Sequence, residues 1–304
     1  MATDPPQRPP TIDAAAAARW ARLVPDGGSP WLHEEIGRRM EERLQWIKAK
    51  PRHWAGWSPL RGGLEAHALV AKRYRDAAVY VVEAEPTLAA PTREALAAPW
   101  WSARRWQGGR PSFDAPPEEG VDLLWANMAL HMAADPEALI ARWHRLVATD
   151  GFLMFSCFGP DTVRELRMLH ERLGWPPASH EFTDMHDWGD MLVHAGFAEP
   201  VMDMERIVLT WPTAEAALAE LRTLGRNLHR ARFSTLRGRT WHRTLRRALP
   251  EVALSAEGAG RIALTFEIIY GHAFKPAPRV ALAAESAVSL REMRSMLQRG
   301  RPGG

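Results

Sequence analysis

Three short apolar runs separated by helical patterns constrain the fold of this chain more than any other feature. Val79-Tyr80-Val81-Val82, Val121-Asp122-Leu123-Leu124-Trp125-Ala126 and Phe152-Leu153-Met154-Phe155-Ser156-Cys157-Phe158 read as strands, the last apolar on both faces. A strand of that kind needs cover on both sides, which a parallel sheet with crossover helices provides. The helices fall where such a sheet requires them. One is expected from Leu64 to Tyr74. Another opens at Asp135-Pro136, a capping acid followed by a proline at the first helical position, and runs through Leu139, Trp143 and Val147 to Asp150-Gly151. An earlier helix from about Trp31 to Lys48 carries the stripe Ile36, Met40, Leu44 and Ile47. Val201 to Leu209 and Ile262 to Tyr270 read as later, partly alternating strands near a sheet edge. The expected class is α/β, a doubly wound and mostly parallel sheet.

Composition narrows the options further. The chain has 304 residues, 46% hydrophobic and 25% charged, which excludes a disordered or fibrous protein. A single cysteine excludes a disulfide framework and a cysteine-rich metal site. No apolar run approaches the ~20 residues of a membrane span. The start, Met1 to Pro6, lacks the basic and apolar regions of a secretory signal, so a cytoplasmic protein is expected. Residues 1–12 are expected to form a disordered arm, 13–276 the folded domain, and 277–304 a short helix with a flexible tail.

Ligands of doubly wound sheets sit at the carboxyl ends of the strands. Glu83 ends one predicted strand, Asn127 the next, and Ser156-Cys157 lies near the end of a third. An acid such as Glu83 can accept hydrogen bonds from the ribose hydroxyls of an adenosine cofactor; it can equally be a solvated strand-end carboxylate. Gly62 and Gly63 stand before a helix and allow close backbone approach to a ligand, or simply a tight turn. They do not form the Gly-x-Gly-x-x-Gly pyrophosphate fingerprint. His180, Asp184, His186, Asp187 and Asp190 have metal-binding side chains, but Asp184 or Asp187 also suits a helix N-cap, and no metal is expected. Cys157 has no evident histidine partner and reads as packing. Fourteen tryptophans against three tyrosines could stack on an adenine or fill the core.

Longer strings are similar to a known family. Asp122-Leu-Leu-Trp-Ala-Asn127-Met-Ala-Leu, Phe155-Ser-Cys-Phe-Gly-Pro-Asp161-Thr-Val-Arg-Glu-Leu166, Asp184-Met-His-Asp187-Trp-Gly-Asp190, Ala195-Gly-Phe197 and Thr265-Phe-Glu-Ile-Ile-Tyr-Gly-His272-Ala-Phe-Lys-Pro276 resemble class I S-adenosylmethionine-dependent methyltransferases. Within that class they resemble the malonyl-acyl-carrier-protein O-methyltransferases of biotin synthesis. The likeness covers residues 120–276 well and 31–120 loosely. It implies a Rossmann-like sheet of seven strands, mostly parallel with an antiparallel edge, and a helical lid inserted near 212–255. It also implies S-adenosylmethionine as cofactor, held by Gly62, Gly63, Glu83 and Asn127. The expected reaction is methylation of the free carboxyl of a malonyl thioester on acyl carrier protein. His131 and Arg164 are the residues expected to orient the acceptor. A scaffold that binds a partner without catalysis, or another reaction on the same fold, is the alternative.

The chain also departs from the family pattern. The Asp-x-Gly-x-Gly-x-Gly loop falls on Ser58-Pro59-Leu60-Arg61-Gly62-Gly63-Leu64, where only Gly62 keeps its place and Ser58 replaces the acid. Pro59 is expected to remove a ladder donor from a central strand. The adenine-side acid is missing from Trp106-Gln-Gly-Gly-Arg110, Gln-Trp has become His131-Met132, and Asp26 stands about where a tyrosine is expected. Weaker cofactor affinity than in relatives with the intact loop is the expected consequence.

Between Leu221 and Pro250 there are nine arginines and no acid, against a whole-chain net charge of +3. Such a concentration attracts acidic partners. The resemblance implies an acidic acyl carrier protein, with Arg230, Arg239 and Arg243 as docking residues. A solvated helical face accounts for the same run, and nucleic acid is disfavoured because no stacking series accompanies it.

Overall fold

The computed structural model describes residues 11–25, 27–97, 111–254 and 260–277. In chain order the elements are α1 (Ala14–Ala21), α2 (Trp31–Arg43), β1 (His53–Trp57), α3 (Pro59–Gly62), α4 (Leu64–Arg73), β2 (Ala78–Val82), α5 (Pro86–Leu96), β3 (Val121–Ala126), α6 (Pro136–Leu146), β4 (Val147–Phe158), α7 (Arg164–Arg172), α8 (Met185–His194), β5 (Ala198–Trp211), α9 (Ala214–Leu224), α10 (Arg239–Ala248) and β6 (Ile262–Phe274). The sheet runs β2-β1-β3-β4-β6-β5, with β6 antiparallel to both neighbours. Six strands are therefore present among the described residues. Ser112 adds a parallel bridge outside β2, its N–H donating to Val79 O and its carbonyl accepting from Val81 N, both at 2.8 Å.

Sequence pattern explains most of this order. The three apolar runs become β2, β3 and β4, and helices bury both faces of the sheet. One face holds Ile36, Met40, Val70, Leu169 and Leu245 from α2, α4, α7 and α10. The other holds Ile140, Trp143, Trp188 and Leu192 from α6 and α8. The α6 cap is as expected, with Asp135 accepting from Ala138 N at 3.0 Å. Trp54 and Trp57 fill the core, Trp57 meeting Trp143 edge-on at 5.7 Å. Cys157 is buried, and burial pushes its thiol upward. Asp184 caps α8, accepting from His186 N at 2.8 Å.

Several expectations are corrected. The helix after Asp135 ends at Leu146 and β4 already begins at Val147. β6 stands near the sheet edge as expected, one place in between β4 and β5, and is buried along nearly its whole length. Pro59 does not interrupt a strand. It occupies the first position of α3, where a missing N–H costs no helix bond. Ile12 is 4% exposed and pairs with His229. Residues 1–10, Asp26, Trp100, Trp101, Trp106 to Arg110 and 278–304, on which other expectations fall, lie outside the described residues. Among the described residues no helix is long and apolar enough to cross a membrane.

Candidate active site

Two neighbouring cavities open at the carboxyl ends of the parallel strands, and Met132 lines both. The smaller, about 150 Å³, lies over the ends of β1, β2 and β3 and is walled by Trp20, Trp57, Arg61, Glu85, Leu88 and Met128. The larger, about 240 Å³, lies between the ends of β3 and β4 and helices α7, α9 and α10.

At the smaller cavity, Ser58 ends β1 in the left-handed region at φ 44° and turns the chain into α3. Its hydroxyl accepts from Ala84 N at 3.2 Å, tying the ends of β1 and β2 together. Glu83 follows β2. Thr92 Oγ1 donates to its Oε1 at 2.6 Å, while Oε2 is buried with no partner. Burial raises the Glu83 carboxyl above the usual carboxylate range, opposed by the Thr92 and Ser58 hydrogen bonds. A buried carboxylate oxygen without a donor is costly, and a ligand hydroxyl would satisfy it. The apolar walls of the smaller cavity, Trp57, Leu88 and Met128, fit the nucleoside half of S-adenosylmethionine.

The glycines and Asn127 serve the frame instead. A Cβ on Gly62 would lie 2.7 Å from the carbonyl oxygen of Asn127, and Gly63, at φ +133°, packs against Glu34 and Ala66. Close approach is needed at both positions, but to protein. Asn127 Nδ2 donates to His33 O at 2.7 Å and to Gly62 O, and its Oδ1 accepts from Ser156 Oγ at 2.6 Å. Its carboxamide is committed to holding β3, β4, α2 and α3 together. Gly62 and Asn127 nevertheless line the smaller cavity, whereas Gly63 is not among its lining residues.

At the larger cavity, His131 is 4% exposed and lies 4.6 Å, centroid to centroid, from Phe158. The Phe158 amide donates to Nδ1 at 3.4 Å, which leaves the proton on Nε2. That Nε2 is buried and has no partner. Burial, followed by the neighbouring His33 and His180, holds the ring's pKa well below the usual histidine value. His131 is therefore a neutral donor. His180 stands beside it, Nε2 donating to His131 O at 2.9 Å and Nδ1 left free. Arg222, Arg226 and Arg237 also line this cavity, Arg237 lying over Trp241 at 4.2 Å.

Arg164 is not among them. It is exposed on the first turn of α7 and pairs with Asp161 at 3.7 Å and Glu165 at 3.4 Å, so its expected contact with the acceptor is corrected. The arginine run is likewise divided. Arg232 pairs with Asp13 at 2.8 Å and Arg246 with Glu215 at 3.1 Å. Arg230 Nε donates to Ile12 O at 3.2 Å, fastening the N-terminal segment, whereas Arg239 and Arg243 are exposed on α10. His33 and Glu34 escaped the sequence reading, and Arg61 and His180 entered it only as part of the loop string and as a metal candidate, because their roles depend on partners far along the chain.

This strand order, with a single antiparallel strand inserted next to the edge, is the mostly parallel sheet with an antiparallel edge that the resemblance implies. No protein-family model matches the chain. It is 35% identical over 260 residues to the malonyl-[acyl-carrier protein] O-methyltransferase of Gallionella capsiferriformans, covering 82% of this chain and 86% of that protein. It is 34% identical over 258 residues to the same-named protein of Laribacter hongkongensis, covering 82% and 84%. The chain belongs to the malonyl-[acyl-carrier protein] O-methyltransferase family. A solved structure of the YcgJ protein of Bacillus subtilis overlaps 79% of this chain and 99% of its own at 10% identity and a TM-score of 0.49.

Replacing Glu83 by alanine is expected to weaken binding of S-adenosylhomocysteine about 10- to 100-fold, the equivalent of a charge-assisted hydrogen bond lost from a buried site. Calorimetry on Glu83→Ala checks this, and unchanged affinity would remove Glu83 from the site.

Proposed function

We propose that this protein transfers the methyl group of S-adenosylmethionine to the free carboxyl of a malonyl thioester carried by acyl carrier protein, in biotin synthesis in the cytoplasm. The adjoining of the two cavities at Met132 carries the reading: one suits a nucleoside donor, and the other, apolar with buried polar atoms, suits a short acyl chain.

S-adenosylmethionine supplies a methyl group made electrophilic by its sulfonium. A malonyl carboxylate is already ionised at neutral pH, so no base is required to create the nucleophile. The chain's task is alignment and exclusion of water. His131 Nε2–H is placed to hold one carboxylate oxygen or the thioester carbonyl. A neutral donor suits this reaction, because the carboxylate loses its charge as the ester forms. A fixed cation at that point would favour the ground state over the transition state. Phe158, Phe182 and Phe266 line the pocket and keep it dry. The α9 and α10 segment serves as the lid.

Arg239 and Arg243 are the docking residues for an acidic carrier protein at the mouth of this lid. Their charges are exposed, so association should slow steeply as salt shortens the ~8 Å Debye length. Arg239→Glu with Arg243→Glu should slow carrier association about tenfold or more at low salt. Thermal stability should change little, since surface changes usually fall within about ±0.5 kcal/mol each. Stopped-flow binding with carrier protein checks this. An unchanged rate would make the two arginines a solvated face.

The deciding assay follows radiolabelled methyl from S-adenosylmethionine onto malonyl-acyl carrier protein, with acetyl-acyl carrier protein as the control lacking a carboxylate. Labelling of the first alone supports the assignment. Absence of both labelling and S-adenosylhomocysteine binding would leave a scaffold that acts through partners.

A further inference from the structure

A nucleotide-binding turn normally offers backbone N–H groups to its ligand, but here those groups are spent. Arg61 N and Gly62 N donate to Ser58 O at 3.1 and 3.0 Å, and Gly63 N donates to Pro59 O at 2.9 Å, because the turn has wound into α3. The next three amides, at the start of α4, are taken by one side chain. Glu34 Oε1 accepts from Leu64 N at 2.7 Å and from Glu65 N at 3.2 Å, and Oε2 accepts from Ala66 N at 2.9 Å. A helix N-terminus favours an anion, and Glu34 supplies it from within the protein. Six consecutive N–H groups from Arg61 to Ala66 are thus unavailable to a ligand carboxylate.

One cation remains at this cavity among the described residues: Arg61, on the turn itself. Its guanidinium lies 4.0 Å above the Trp20 ring, and Nη2 donates to Trp20 O at 2.9 Å and to Leu23 O. These contacts fix the group in place. Nε is nevertheless buried without a partner among the described residues. Glu83 and Glu85 lie near enough to act on it electrostatically, Glu85 lining the same cavity. A held cation with an unused donor, beside acids that can receive an ammonium group, complements an α-amino acid zwitterion.

We propose that Arg61 binds the α-carboxylate of the amino-acid end of the S-adenosyl ligand, in place of the backbone amides that α3 and Glu34 have withdrawn. This rests on the methyl-donor reading above.

Calorimetry with S-adenosylhomocysteine and its decarboxylated analogue tests the assignment, since the two share nucleoside, thioether and ammonium and differ only in the carboxylate. The parent protein should prefer the carboxylate-bearing ligand by about 10- to 100-fold, the size of a charge-assisted pair in a buried site. Arg61→Gln should bind both alike, at the affinity the parent has for the decarboxylated ligand. Arg61→Lys, which keeps the charge without the fork, should retain part of the preference. A parent without preference overturns the role of Arg61, and does so without any variant. An intact preference in Arg61→Gln, or equal weakening of both ligands, overturns it as well and makes Arg61 a brace for the Trp20–Leu23 turn. A parent that binds neither ligand overturns the methyl-donor reading and Arg61's role with it.

Discussion

Lowering the pH from 7.5 to 5.0 is expected to remove about 4–6 kcal/mol of folding stability, a large share of the roughly 5–15 kcal/mol of an ordinary domain. The cause is three buried imidazoles. His33 and His67 are held down to about 4, both by burial. His180 is also held at about 4, again chiefly by burial. Each has a free ring nitrogen inside the protein, His33 Nε2, His67 Nδ1 and His180 Nδ1, with no acceptor ready for an added proton. In the unfolded chain these groups titrate near 6.5. Between the two values the unfolded state binds more protons than the native state, so stability rises with pH. Their contribution is complete above about pH 6.5 and is lost as pH falls toward 4. At pH 5 each imidazole costs the native state roughly 2 kcal/mol. Urea unfolding at a series of pH values measures the loss directly, and the slope near pH 5 should report uptake of about three to four protons, because burial keeps His131 neutral as well. A flat stability between pH 7.5 and 5.0 would mean that the three sites admit water or an acid partner when protonated.

Those histidines also mark where the sequence was and was not readable. β2, β3 and β4 were legible because a run apolar on both faces has few other uses in a globular chain. β1, His53-Trp-Ala-Gly-Trp57, carries no such signal. Its fourth residue is Gly56, whose missing side chain makes room for the His67 ring, since a Cβ there would run into Nδ1. Such a fit is visible only once α4 crosses β1. The order of β5 and β6 near the sheet edge was equally unreadable, because it depends on the crossover that carries α9 and α10 and not on local pattern. Site residues divide in the same way. Glu83 and His131 follow legible strands and carry buried polar atoms unpartnered among the described residues, His131 lining the larger cavity and Glu83 standing next to Ala84 and Glu85 of the smaller one. Asn127 follows one too, but its donors are taken by His33 O and Gly62 O, 94 and 65 residues away in sequence. Arg164 shares a motif with the acceptor side of the sheet, yet α7 begins at that residue and turns its side chain to Asp161 and Glu165. The Arg61–Glu34 arrangement lies where the chain departs from its family's pattern. There, similarity predicts a bare loop and the residues make a helix.

His131→Leu is expected to lower kcat/KM for malonyl-acyl carrier protein about 100-fold while leaving the affinity for S-adenosylhomocysteine unchanged. The magnitude is that of removing one preorganised hydrogen-bond donor, or of misplacing a reacting group by about 1 Å. Leucine keeps the apolar contact with Phe158 and Phe182, so loss of packing contributes little. It removes a buried Nε2–H without a partner among the described residues but also the Nδ1 that accepts from Phe158 N, so the two effects oppose and thermal stability should change little. That combination, slower transfer without loss of stability or donor binding, separates an orienting donor from a packing residue. Glutamine at 131 offers an N–H at similar reach and should restore part of the rate. The rate in the parent should also be insensitive to pH between 6.5 and 8, because burial keeps His131 neutral throughout that range. A cationic His131 engaged with the carboxylate would instead lose activity across this window as it deprotonated. Full activity in His131→Leu would move the acceptor toward Arg222, Arg226 and Arg237, the cations that line the same cavity.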